Sequence, residues 1–94
     1  MKWNVVEVTP KPDWTLFVRF ADGLSGTVRF HPDFFSGVFE PIRDPRIFSQ
    51  AFVDRGAVAW PGEVDLAPDA MYEEINKHGE WLLEPVRADA PSRS

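Results

Sequence analysis

The sequence predicts an α+β domain: a small antiparallel sheet from an N-terminal three-strand meander, a second short hairpin, and two short helices packed on the sheet. Three observations carry this expectation. Residues 14–30 hold two runs in which apolar and polar side chains alternate, one on each side of Asp22-Gly23. Asp44-Pro45 and Pro68 each open a stretch whose apolar residues recur at helical spacing. A length of 94 residues supports one hydrophobic core and not two. The folded unit is expected over residues 1–84, with 85–94 a disordered C-terminal tail of Pro, Ala, Arg, Asp and Ser that has little to bury.

The first strand is read around Asn4 to Thr9, where Val5, Val6 and Val8 give a mostly apolar run. The Pro10-Lys11-Pro12-Asp13 segment is predicted to be a loop, because neither proline can donate to a ladder. In the second strand Trp14, Leu16, Val18 and Phe20 share one face; in the third, Leu24, Gly26, Val28 and Phe30 do so. A two-residue Asp-Gly turn would set Phe20 across from Ser25 and split these faces. A three-residue loop, Ala21-Asp22-Gly23, sets Phe20 across from Leu24 and Val18 across from Gly26, so the longer loop with a left-handed Gly23 is predicted.

His31 to Phe39 has aromatics without a period, which predicts an irregular or 3₁₀ crossover packing Phe34 or Phe35 and Phe39 on the sheet. Asp44 caps a short helix with Pro45 at its first position and Ile47, Phe48 and Ala51 inward. Val53-Asp54 and Ala57 to Trp60 form a hairpin closed at Arg55-Gly56 and ended by Pro61-Gly62. A second helix starts near Pro68, buries Met71, Tyr72 and Ile75, and stops at Gly79 after Lys77 and His78. Glu80-Trp81-Leu82-Leu83 is an apolar patch that must pack somewhere.

Composition restricts the function classes. Ten Lys plus Arg against fifteen Asp plus Glu leave a formal charge of -5, and the cations are scattered singly, so direct nucleic-acid binding is not expected. No apolar run approaches the roughly 20 residues that span a bilayer, so no membrane role is expected. There is no Cys, which excludes disulfides and thiolate chemistry. Glu7 interrupts the N-terminus where a secretory signal needs apolar residues, which predicts a cytoplasmic protein.

Taken in order, the Val-rich first strand, Leu16 to Phe20 before Asp22-Gly23, Gly37 to Pro45, and Ala57 to Asp69 with Tyr72-Glu73 resemble the bacterial family of domains of unknown function numbered 2442. The likeness extends to about Glu74. It implies a small intracellular module, often encoded beside another short protein in toxin–antitoxin-like gene pairs. Some members carry a helix-turn-helix domain after this one; the polar tail here gives no such expectation.

No catalytic residue, cofactor or metal is predicted. His31 and Asp33 form a base with an orienter two positions away, but His-Pro-Asp after a strand reads as a turn and no nucleophile motif accompanies it. Glu63, Asp65, Asp69, Glu73 and Glu74 lack the order of a calcium loop and read as a solvated acidic face. Asp65 is expected to accept amides at the start of the second helix. Arg43 beside Asp44 is expected to pair with Glu40 or a carbonyl, and Trp60 to be a core or rim aromatic. Phe17 lies on an otherwise polar strand face and needs a cover, either Trp81 or Leu82 folding back or another molecule.

Phe17, Arg43, Asp44, Trp60, Asp65 and Tyr72 are therefore the candidate interaction or family-motif positions. The favoured expectation is a protein-interaction module, antitoxin-like or accessory, that docks a small protein partner through aromatics and carboxylates. The alternative is a small-ligand binder or enzyme with a cleft near His31, Asp33, Arg43 and Asp65. Homo-oligomerisation through the Phe17 face or a sheet edge is compatible with both.

Overall fold

The computed structural model describes residues 3–84, so the expected tail at 85–94 lies outside the described residues. The chain is α+β, with two sheets facing each other across one core. Strands β1 (Val5–Lys11), β2 (Thr15–Phe20) and β3 (Ser25–Phe30) form the predicted meander. A crossover of two 3₁₀ segments, Pro32–Phe34 and Gly37–Arg43, leads to the short helix α1 (Pro45–Phe48). The second sheet follows as β4 (Phe52–Asp54), β5 (Ala57–Trp60) and β6 (Val64–Asp65), then helix α2 (Pro68–His78) and strand β7 (Glu80–Leu83).

The first sheet has the order β1-β2-β3-β7 and the second β4-β5-β6. Facing residues settle the β2–β3 register as the side-chain faces require: Val18 pairs with Gly26 and Leu16 with Val28, and the Phe20 amide donates to the Leu24 carbonyl at 2.7 Å. Gly23 has φ +95°, the left-handed conformation that the three-residue loop demands. The Asp22 carboxylate accepts the Leu24 amide at 2.9 Å and tightens the same turn. At Arg55-Gly56 both turn residues have positive φ, 53° and 80°, giving the two-residue hairpin between Asp54 and Ala57.

Three features depart from the sequence expectation. Pro10 lies inside β1, opposite Leu16, and β1 runs on to Lys11; a strand at the sheet edge tolerates a residue without a donor. The Glu80–Leu83 patch is β7, which pairs parallel with β3, so the sheet is mixed and not wholly antiparallel. The second hairpin gains a third strand, β6, which pairs Asp65 with Ala59 and Val64 with Trp60.

The two sheets are joined where β1 meets the second hairpin, the Val5 amide donating to the Gly56 carbonyl at 2.8 Å. Val5, Leu16, Val18, Phe20, Val28 and Phe30 supply the inner face of the first sheet, and Val58, Trp60 and Val64 that of the second. Met71 and Ile75 of α2, with Phe35, Ile42 and Phe48 from the crossover and α1, belong to the same core. Phe30 stacks on Phe35 and meets Phe48 and Trp60 edge-on, so the aperiodic crossover works as an aromatic plug. Helix α2 ends as predicted, with Gly79 at φ +80° donating to the Ile75 carbonyl at 2.7 Å.

Candidate functional site

Alternation along β4 turns Val53 to the core and leaves Phe52 and Asp54 on the outer face of the second sheet. The register then sets Phe52, Ala59 and Asp65 side by side across β4, β5 and β6. Ala59 is the small floor between an aromatic wall and a carboxylate wall. Phe52 is 43% exposed, the one exposed Phe, Trp or Tyr among the described residues. The tight Pro61-Gly62-Glu63 turn, with Gly62 at φ +94° and Glu63 at φ +67°, brings a third carboxylate to the rim. Together these residues line a cleft of about 340 Å³ that also touches Trp60, Pro61 and Val64.

Among the described residues no Lys or Arg nitrogen lies within ion-pairing distance of Asp54, Glu63 or Asp65. The cations that do pair are occupied elsewhere: Arg19 with Glu7 at 2.8 Å, Arg29 with Glu80 at 3.3 Å, Arg46 with Asp44 at 3.0 Å and Lys77 with Glu73 at 3.7 Å. Also among the described residues, no three His, Cys, Asp or Glu side chains are grouped to hold a metal ion. The cleft therefore combines negative charge with an aromatic surface, an arrangement that attracts an organic cation.

The six candidate positions do not converge on this cleft. Asp65 and Trp60 line it, but Trp60 is 1% exposed and its indole N–H donates to the Phe48 carbonyl at 2.9 Å, so it is a core residue. Asp65 does not cap α2. It sits in β6, and the helix starts at Ala67-Pro68 with no side-chain cap; the carboxylate that meets a first-turn amide is Asp69, on Ala70 at 2.9 Å.

Asp44 does cap α1, accepting the Arg46 amide at 2.9 Å. Its cation is Arg46 and not Arg43: the Arg46 hydrogen bonds hold the Asp44 carboxyl below its ordinary range, and the same contact raises the guanidinium. Arg43 contributes its carbonyl, which accepts the Trp14 indole N–H at 3.1 Å.

Tyr72 packs edge-on against Phe20 with ring centres 5.1 Å apart and donates its hydroxyl to the Asp22 carboxylate, tying α2 to the β2–β3 turn. That bond to an anion pushes the phenol pKa up. Phe17 is half-buried on the outer face of the first sheet, between Thr9 and Thr27. Trp81 faces the core, and Leu82, 48% exposed, lies beside Arg29 two strands away, so neither folds over Phe17.

His31 is a cap. Its Nδ1 accepts the Asp33 amide at 3.0 Å at the start of the first 3₁₀ segment. A second cleft of about 280 Å³ lies among Pro10, Lys11, Pro12, Asp13, Pro45, Phe48 and Ser49. His31 and Arg43 line neither cleft.

Phe52 and Ala59 are not among the candidate positions; the sequence signal for them is the two-residue alternation of Phe52 and Asp54 around Val53, which a strand beginning at Val53 leaves out.

A profile of the family described as a protein of unknown function, DUF2442, matches residues 5–77. No curated protein and no solved structure matches the chain. The matched span runs from the first residue of β1 into the last turn of α2, so it includes every strand of the cleft and leaves β7 outside. With most of its length and every strand except β7 inside the match, the chain belongs to the DUF2442 family.

Proposed function

We propose that this chain is a protein-interaction module of the bacterial cytoplasm, an acidic antitoxin-like or accessory subunit that docks a small basic protein. The observation that carries the reading is the outer face of β4, β5 and β6, where an exposed Phe52 and the carboxylates of Asp54, Glu63 and Asp65 share one cleft. Carboxylates that pair with no cation among the described residues keep their field for a partner, and such a field steers association as well as strengthening it. The formal charge of -5 favours a partner of opposite sign.

The test is co-expression with the product of the adjacent gene, with the tag on that product. A complex that elutes together and weakens as salt rises is the expected outcome. Failure to co-elute, with the isolated chain stable and monomeric in sedimentation, overturns the reading.

A further inference from the structure

We infer that the cleft on the second sheet is a receptor for one arginine side chain, presented on an exposed segment of a protein partner. The inference rests on the interaction reading above and specifies the chemistry of its contact. The row Phe52–Ala59–Asp65 sets the ring and the carboxylate on the two outer strands, about 10 Å apart at two strand spacings. Ala59, with only a methyl group for a side chain, lies between them in the lining of the cleft. A flat guanidinium entering this notch stacks on the face of Phe52 and turns its N–H edge to Asp65, with Asp54 and Glu63 at the rim.

The occupant follows from charge and shape. Three carboxylates without an internal cation among the described residues call for a positive group. The carboxylates are not grouped tightly enough for a metal ion, which needs its oxygens converging on one point. They suit a group that spreads its charge over a plane and offers five donors. The apolar part of the lining, from Phe52, Ala59 and Pro61, matches the methylene stem of the same side chain. The open rim fits a residue on a protein surface better than a free small molecule, which an enclosed cavity would hold.

The probe is a blocked pentapeptide, acetyl-Gly-Ser-Arg-Ser-Gly-amide, titrated into the isotope-labelled full chain and followed by amide chemical shifts. Saturable shifts centred on Phe52, Ala59 and Asp65 are expected, with the Lys version of the peptide binding several-fold more weakly. The double variant Asp54→Asn/Asp65→Asn should weaken binding roughly tenfold, the combined size of two partly exposed charge contacts. The control pair Glu73→Gln/Glu74→Gln, on the outer face of α2, should leave it unchanged. Shifts spread equally over α2, equal binding of the Lys peptide, or an undiminished double variant would each overturn the inference. If the adjacent-gene complex forms with wild type and double variant alike, the arginine receptor fails while the interaction reading stands; if no such complex forms, the peptide titration still decides the cleft.

Discussion

Replacing Gly26 with Ala probes the close approach of β3 to α2. Gly26 sits in β3 with its Cα against α2, and a Cβ built there meets Ile75 Cγ2 at 2.5 Å, the Gly79 carbonyl oxygen at 2.7 Å and Ile75 Cγ1 at 3.3 Å. Two effects oppose each other. Ala restricts the unfolded chain and would stabilise by about 0.4–1 kcal/mol where the native site has room. Overpacking a rigid contact costs about 1–3 kcal/mol.

The second effect wins, because the Gly79 carbonyl belongs to backbone that is already fixed by the 2.7 Å cap bond from the Gly79 amide to Ile75. The net loss is about 1–2 kcal/mol, which at a typical urea slope for a small domain lowers the midpoint by roughly 0.5–1 M. Urea unfolding followed by tryptophan fluorescence measures it.

A double-mutant cycle with Ile75→Ala assigns the cause. Removing both Cγ atoms should recover part of the Gly26→Ala penalty as a coupling of about 1 kcal/mol, and the oxygen clash should keep the recovery incomplete. A Gly26→Ala variant as stable as wild type, or no coupling to Ile75, would refute the argument.

Two further predictions concern positions that the sequence marked. Trp60→Phe deletes the indole N–H that bonds the Phe48 carbonyl; because that oxygen keeps a 3.3 Å bond from the Ala51 amide, the expected loss is about 1–2 kcal/mol by calorimetry, and an unchanged melting temperature would contradict the role of the bond. Asp44→Ala should lower the urea midpoint at neutral pH. The folded carboxyl lies below its ordinary value of about 3.9, so its contribution is present above that pH and fades as pH falls through the folded pKa; the gap to wild type should narrow below about pH 4, and a pH-independent gap would exclude the charged cap.

The elements legible in the sequence are those specified by neighbours in the chain. The β2–β3 register follows from the two apolar faces and the Asp22-Gly23 turn. The α1 cap follows from Asp44-Pro45, and the α2 stop from Gly79. Long-range pairing was not legible. Glu80–Leu83 carries an apolar run too short to say whether it pairs parallel or antiparallel, or with which strand, and its partner β3 had no unpaired-edge signal of its own.

Pro10 misled because a missing donor excludes a central strand and not an edge. Asp65 looked like a cap because it precedes Pro68, yet β6 claims it first. The cleft is not legible in the sequence for a similar reason: its wall and floor, Phe52 and Ala59, adjoin only through strand pairing.

The parallel pairing of β7 with β3 also sets an order of events. Thr27 to Phe30 wait for Glu80 to Leu83, about fifty residues further along, whereas the meander and the second hairpin close loops of a few residues. The entropy of closing so long a loop is repaid only after α2 has formed and packed, which places β7 docking late in folding. During synthesis, β3 emerges from the ribosome with an edge it cannot yet cover. In that interval the nascent chain has a strand free to pair with another nascent chain, and the speed with which α2 delivers β7 sets how long the interval lasts.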